Sequence, residues 1–243
     1  MSSNNSIPSR ITPERAVIKI SGAGFGGSSN PLHPESINYI VSQVKEARDQ
    51  GTETALVVGG GNIMRGRERK VLSRTSADFT GMVGTIVNGI VLKDRLKSLD
   101  IPVILQSALP VDRATKPVDP DRADSHLRDG GVVIFAGGTG NPYFTTDSAA
   151  ALRAGEVNAD IILKGTNVQG VYTGDPSDKE AEFLPELSYE ELLEHELGII
   201  DVAAAKICRE TGIPMVIFDL FKDGATARAL SGEKVGTYVY PGE

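Results

Sequence analysis

Short apolar runs rich in β-branched residues alternate along this chain with longer stretches of helical period. Glycines fall where one gives way to the other. "AVIKIS", starting at Ala16, reads as a first strand. In "PESINYIVSQVKEARDQG" the apolar positions Ile37, Ile40, Val41, Val44 and Ala47 share one face at spacings of three and four, which predicts a helix. Pro34 suits its first turn and Gly51 its carboxyl end. "TALVVGGG" predicts a second strand, "DFTGMVGTIVNGIVLKDRLKSLD" a long helix and "IPVILQSA" a strand. Next come a strand in "GGVVIFAGG", a helix in "TDSAAALRAGEVNA" and a strand in "ADIILKG". "TNVQGVYTGDP" reads as a loop or hairpin. "SYEELLEHE" opens a helix with a capping box, Ser188 with Glu191. "DVAAAKICRETG" is helical, "PMVIFD" extended, "GATARALSG" a short helix and "GTYVY" a closing strand. Uninterrupted apolar strands alternating with helices predict an α/β fold, a largely parallel sheet covered on both faces. Ligands in such sheets bind at the carboxyl ends of the strands, where the glycine clusters fall. No linker or fixed-period repeat divides the chain.

Composition narrows the picture. The chain has 243 residues with 32 acids against 25 bases, a formal net charge of −7. An acidic balance argues against nucleic acid or an anionic membrane as main partner, since both call for a basic surface. Cys208 is the one cysteine, so an internal disulfide framework and a multi-cysteine zinc site are excluded. His33, His126 and His195 stand far apart with no ligand spacing, and no metal-ligating residues are expected. No apolar run approaches the roughly 18 residues of a membrane span. "MSSNNSIPSRITPER" lacks the apolar core of a secretory signal. Residues 1–14 are therefore expected to be a disordered tail and residues 15–243 one domain of a protein in a reducing, cytoplasmic compartment.

The stretch "AVIKISGAGFGG" contains G-x-G-x-x-G at Gly22, Gly24 and Gly27, the spacing of a dinucleotide-binding loop. Three features argue against that use. The helix is delayed to about Pro34, no acid ends the second strand, and Lys19 has no role toward a dinucleotide. Phosphoryl transfer uses all of these residues, because its catalysis is positioning and charge stabilisation. Neither G-x-x-x-x-G-K-[ST] nor the protein-kinase H-R-D and D-F-G signatures occur. The second cluster, "VVGGGNIMRG", offers an anion nest and, in Arg65, a fork for phosphate. The third, "FAGGTGNPYFTTDSAAALRA", is dense in hydroxyls and ends in a helix N-terminus. There Asp147 is either a simple N-cap or a partner for active-site lysines or magnesium. The fourth, "IILKGTNVQGVYTGDP", again ends an apolar run in a lysine, Lys164. Lys19 and Lys164, at equivalent strand ends, could grip one phosphoryl group from two sides.

Together the four clusters resemble the amino-acid kinase superfamily and, within it, the bacterial uridylate kinases. The resemblance runs from about Arg15 to Thr237. It rests on Lys19-Ile20-Ser21-Gly22, on G-G-G-N-x-x-R-G at Gly59 to Gly66, on the complete T-G-N-P-[FY]-F-T-T-D at Thr139 to Asp147, and on Leu163 to Pro176. It implies a three-layer αβα sandwich with a central, mainly parallel sheet, the acceptor in its N-terminal part and ATP in its C-terminal part. It implies transfer of the γ-phosphoryl of ATP to UMP in pyrimidine nucleotide biosynthesis, with Mg²⁺ accompanying ATP. The catalytic set it implies is Lys19, Arg65, Asp147 and Lys164. ATP would meet Lys19, Ile20, Ser21, Gly22, Gly61 and Arg65 at its phosphates, and Thr166, Tyr172 and Asp175 at its adenosine end. UMP would meet Gly60, Asp78, Thr139, Gly140, Asn141, Pro142, Tyr143, Phe144, Thr145 and Thr146. A homohexamer and inhibition by UTP are further implications. The response to GTP stays open, because the family's E-A-[LF] after the first glycine is here Ala23-Gly24-Phe25-Gly26-Gly27, without the glutamate.

Two other readings remain at this level. One is a kinase of the same fold acting on a carboxylate or carbamate. The other is a non-catalytic, nucleotide-binding regulatory hexamer, against which Lys19, Asp147 and Lys164 weigh.

Overall fold

The computed structural model describes residues 12–27, 29–64 and 71–242. Residues 1–11 of the expected tail, and Arg65 with its neighbours to Lys70, lie outside the described residues. The chain opens with β1 (Arg15–Ile20), a single 3₁₀ turn at Gly22–Gly24, α1 (Pro34–Asp49), β2 (Glu53–Val58), α2 (Arg74–Lys97) and β3 (Val103–Ser107). There follow β4 (Lys116–Pro117), α3 (Pro120–Arg128), β5 (Val132–Ala136), α4 (Thr146–Glu156) and β6 (Ile161–Thr166). A small hairpin of β7 (Val171–Tyr172) and β8 (Phe183–Leu184) precedes β9 (Glu186–Ser188), α5 (Tyr189–Glu194) and α6 (Val202–Thr211). The last elements are β10 (Met215–Asp219), α7 (Ala225–Leu230) and β11 (Thr237–Tyr240).

Among the described residues nine strands form one sheet in the order β4-β3-β5-β2-β1-β6-β10-β11-β9. Within that sheet the β10–β11 pair is antiparallel and the other pairs are parallel. Helices cover both faces, which is why β1, β2, β5 and β6 are mostly apolar and almost wholly buried. One face, with Ile18, Ile20, Leu56 and Ile134, packs on α1, α2 and α7. The other, with Val17, Val57, Val133 and Ile162, packs on α3, α4, α5 and α6. The expected three-layer sandwich is thus observed. Among the described residues no helix is long and apolar enough to cross a membrane.

Local chemistry sets the helix starts. Ser73, Asp119, Thr145, Ser188 and Asp201 each cap a helix with a side-chain oxygen, and Ser188 with Glu191 forms the expected capping box. The long helix α2 begins ahead of the apolar stretch that predicts it, at Arg74, because Ser73 accepts from the Ser76 N–H at 3.2 Å. It ends at Lys97, short of the predicted Asp100. Helix α3 carries only Ala123 and Leu127 as buried positions, too sparse a stripe for its period to show in the sequence.

The sheet is wound outward in both directions from its middle. Strands β2 to β5 lie on one side of β1, and β6 and β9 to β11 on the other. Neighbouring β1 and β6 therefore make the switch point, where α/β sheets open a crevice. Their register sets Lys19 directly opposite Lys164.

Leu56, fully buried at the centre of the sheet, anchors the α1–α2 side of the core. Leu56→Ala should destabilise the protein by about 2–5 kcal/mol, and Ser188→Ala, which loses a cap, by about 1 kcal/mol. Thermal melts of both should show the larger drop in Tm for Leu56→Ala. The reverse order would contradict this account of the core.

Candidate active site

Strand alternation decides where the two lysines point. Val17 and Ile162 face α4, so Lys19 and Lys164, each two residues further along, do the same. Both meet Asp147 in the first turn of α4. Lys19 Nζ lies 2.9 Å from Asp147 Oδ1, and Lys164 Nζ is paired with Oδ2. Lys164 also donates to the Ile199 carbonyl. All three side chains are buried, with residue exposures of 8% for Lys19, 9% for Asp147 and 4% for Lys164. Burial opposes charge on both kinds of group. For Asp147 the two ammonium groups outweigh it and hold the carboxyl below the ordinary range. For Lys164 burial prevails, helped by repulsion from Lys19 and only partly opposed by attraction to Asp147, and its pKa falls to about 8.

Asp147 is therefore not the cap of α4. That role belongs to Thr145, whose Oγ1 accepts from the Asp147 N–H at 3.0 Å. Thr145 in turn donates to Asp201 Oδ2, and Ser148 Oγ donates to Asp201 Oδ1 at 2.7 Å. Asp201 also caps α6, accepting from the Ala204 N–H at 2.9 Å. One carboxylate thus joins the starts of two helices beside the lysines. Sequence reasoning missed it. As the residue before "VAAAKICRE" it is legible as a cap, but its reach to α4 is not.

The glycine loops lie against each other at the carboxyl ends of β1 and β2. A Cβ on Gly22 would come within 2.2 Å of the Gly61 nitrogen, and one on Gly60 within 2.3 Å of the Gly81 oxygen in α2. Only glycine permits this backbone-to-backbone packing, which leaves main-chain groups at the loop surfaces. Ile20, assigned to ATP, has its side chain in the core, and its carbonyl accepts from the Gly59 N–H at 2.8 Å.

On the β2–β5 side of the lysines a cleft of ≈ 460 Å³ opens. Of the residues assigned to UMP, Gly60, Asp78, Phe144, Thr145 and Thr146 line it, joined by Met64, Arg74, Met82 and Thr85. Thr139, Gly140, Asn141, Pro142 and Tyr143 form the adjoining turn, with Asn141 N–H donating to Thr139 Oγ1 at 3.2 Å. Tyr143 sits at φ +74° and its N–H donates to Asp78 Oδ2 at 2.9 Å. Arg74, one helical turn before Asp78, donates to both Asp78 oxygens at 3.0 and 2.8 Å and stacks over the Tyr143 ring at 5.6 Å. Sequence reasoning missed Arg74, although its (i, i+4) spacing to Asp78 is the signal that finds such pairs.

The residues assigned to adenosine lie on the other side of the lysines. Thr166 follows Lys164 on β6, on the same face. Its hydroxyl is engaged with the carbonyls of Val168 at 2.8 Å and Phe218 at 3.1 Å. Tyr172 packs edge-on against Phe183 in the hairpin, and Asp175 is exposed beyond it. Arg65 lies outside the described residues.

Two buried lysines share Asp147, with Asp201 close by, in a crevice framed by glycine loops and a helix N-terminus. This is a site for an anionic group handed between two ligands, and it defines a phosphotransferase that lacks a P-loop. The chain belongs to the amino acid kinase family, whose model matches residues 14–219. Among solved structures it is similar to the UMP kinase of Bacillus anthracis, with 32% identity, TM-score 0.90, and 95% of this chain and 97% of that one covered. It is similar also to the UMP kinase of Ureaplasma parvum, with 35% identity, TM-score 0.88, and 93% and 98% covered. The uridylate kinase of Archaeoglobus fulgidus is similar at 30% identity and TM-score 0.70, with 92% and 99% covered.

Lys164 is charged below about pH 8 and neutral above it in the free protein. If its ammonium is needed, kcat/KM should fall as pH rises through about 8. The corresponding limb of kcat should lie higher, because bound phosphates favour the ammonium. Lys19→Ala and Lys164→Ala should each lower kcat by about a hundredfold or more. Initial rates against pH check both. A flat alkaline profile, or near-normal turnover in either variant, would remove these roles.

Proposed function

We propose that this kinase moves the γ-phosphoryl group of ATP onto the phosphate of UMP, giving ADP and UDP. The observation that carries the reading is the Lys19–Asp147–Lys164 set at the start of α4, where the preceding Thr145 and Thr146 line the cleft. The structural similarity to UMP kinases along almost the whole chain supports it. The cleft is of nucleotide size and partly apolar through Met64, Met82 and Phe144, which suits a base and ribose better than a small carboxylate acceptor.

The acceptor phosphate loses its second proton at about pH 6, so its attacking oxygen is already anionic at neutral pH. No strong general base is required. The chain's contribution is to align the two phosphates and to neutralise the charge that spreads over the transferring group. Lys19 and Lys164 supply compact positive charges, and the glycine-loop backbone and the start of α4 supply oriented N–H groups. Asp147 holds the two ammonium groups apart and in place. In this reading Asp78 and the Thr139–Thr146 segment hold the uridine half, and Thr166, Tyr172 and Asp175 the adenosine half.

The donor set bears on Mg²⁺. Both Asp147 oxygens face ammonium groups, and Asp201 is bonded to Thr145, Ser148 and the Ala204 N–H. Among the described residues no cluster of three or more His, Cys, Asp or Glu side chains is placed to hold a metal. The residues here fit a Mg²⁺ that would arrive with ATP rather than be held by a carboxylate cluster. When bound it would supply charge neutralisation to the transferring phosphate. Homohexameric assembly, a cytoplasmic location and a place in pyrimidine nucleotide synthesis complete the reading, on the strength of the family likeness.

A coupled ADP-release assay tests it, with UMP, CMP, dCMP, glutamate, aspartate and carbamate as acceptors. UMP should be turned over far faster than the rest, and preference for a carboxylate or carbamate would overturn the reading. UTP shares the uridine half with UMP and should compete with it. Asp78→Asn weakens the grip on Arg74 and on the Tyr143 N–H. It should therefore raise the UMP KM and the UTP Ki together by about tenfold, as expected for losing about 1.4 kcal/mol of charge-assisted hydrogen bonding. If UMP affinity falls while UTP inhibition persists unchanged, UTP acts elsewhere.

A further inference from the structure

Two buried amides lie beneath the active site, and nothing in the chemistry above uses them. Asn88, on α2, is wholly buried, and Asn62, at the end of the second glycine cluster, is 8% exposed. Their side chains face each other reciprocally. Asn62 Nδ2 donates to Asn88 Oδ1 at 2.9 Å, and Asn88 Nδ2 donates to Asn62 Oδ1 at 2.8 Å. Each Nδ2 has a second hydrogen, and each finds a backbone carbonyl. Asn88 reaches Gly59 O at 2.6 Å, and Asn62 reaches Pro31 O at 2.6 Å. All four N–H bonds of the pair are therefore used. Turning either amide over would set donor against donor and acceptor against acceptor, so the arrangement is fixed.

The two carbonyls belong to the two glycine loops. Gly59 begins the β2 loop, and its own N–H donates to the Ile20 carbonyl at the end of β1. Pro31 lies in the β1–α1 connection that carries Gly22. That connection is closed on itself by the His33 N–H donating to Phe25 O at 2.8 Å. The Gly59–Asn62 segment is thus gripped from beneath by α2 and from the side by the β1 connection. Its upper surface serves both ligands. Gly60 and Gly61 line the acceptor cleft, and Gly61 also lies against Gly22.

We propose that Asn62 and Asn88 are a positioning pair that locks the two glycine loops into one unit, so that the donor and acceptor phosphates are presented at a fixed separation. The inference rests on the proposed reaction. A hydrocarbon core could fill the same space, but it could not fix the height and rotation of a loop that has no side chains of its own at Gly59, Gly60 and Gly61. Two amides with every hydrogen used do so. Because one loop meets both ligands, the pair makes the two nucleotide sites depend on each other.

The test is Asn88→Ala together with Asn62→Ser, which keeps a short polar side chain but loses the reciprocal bond. ADP and UMP binding are measured by calorimetry at a temperature where circular dichroism shows the protein folded, and turnover is measured beside them. Each variant should weaken ADP and UMP by about tenfold, and single-turnover transfer should fall by about tenfold or more at saturating ligand. A structural role alone would lower Tm but leave both affinities and the saturated rate of the folded fraction unchanged, and that result overturns the proposal. Loss of affinity for only one of the two nucleotides also overturns it. If Asn88→Ala does not fold, the milder Asn62→Ser decides the matter. The wild type separates this inference from the reading beneath it. If it binds UMP but does not phosphorylate it, the proposed reaction fails, while the binding ratios still decide whether the pair couples the loops.

Discussion

Placing two ammonium groups side by side on neighbouring strands is the constraint on which this molecule turns. The register of β1 and β6 sets Lys19 and Lys164 opposite one another, on one face of a sheet otherwise filled with hydrocarbon. Two like charges held near each other away from bulk water repel strongly. Burial adds a further penalty on each. Asp147 makes the arrangement tolerable by facing both. In the proposed reaction these ammonium groups would meet the arriving phosphoryl group, with Asp201 also drawing on Lys164. The depressed pKa of Lys164, about 8, marks how close the free protein stands to losing one of them.

The rest of the site follows from keeping Asp147 where it is. Its height above the sheet is set by α4, whose start is capped by Thr145 and tied through Asp201 to the start of α6. The Ile199 carbonyl, two residues before Asp201, accepts from Lys164. Helix, cap and strand are thus joined around the lysines by short polar contacts, in a region where the packing beyond is apolar. On the opposite face α2 supplies Asn88 beneath the glycine loop and Arg74 and Asp78 at the cleft mouth. The cleft is in this sense a surface of α2, while the Lys–Asp–Lys set joins the ends of β1 and β6 to the start of α4.

Much of the fold was legible in the sequence, because parallel strands buried on both faces leave continuous apolar runs and the helices between them keep a clear period. Lys19 and Lys164 stood out as charges within such runs. The glycine clusters stood out because each ends one. What stayed hidden depended on distance in space. Asp147 stood in the sequence as a cap or a partner for the lysines or magnesium, and only the fold selects the lysine pairing. Asp201 looks like an ordinary cap until α6 is placed beside α4. Asn62 and Asn88, 26 positions apart in sequence, carry no local pattern that joins them. Helix α3 was missed for a different reason, since two buried side chains in a polar segment make no visible stripe. The cleft itself is contributed by the Gly60 loop, α2 and the Thr139–Thr146 segment, which meet only in the folded chain.

The most direct test of the central claim is the rate of phosphoryl transfer in Asp147→Asn, measured by rapid quench in a single turnover with ATP and UMP both saturating. This substitution keeps the shape of the side chain and removes its charge. With this carboxylate gone, Lys164 loses the attraction that opposes its burial and the repulsion of Lys19, which favours its neutral form. The account predicts that nucleotide affinities change only a few-fold, while transfer slows by about a hundredfold or more and its alkaline limb moves to lower pH. Transfer at close to the wild-type rate, with the alkaline limb unmoved, would show that the Lys–Asp–Lys set is not what stabilises the transferring group.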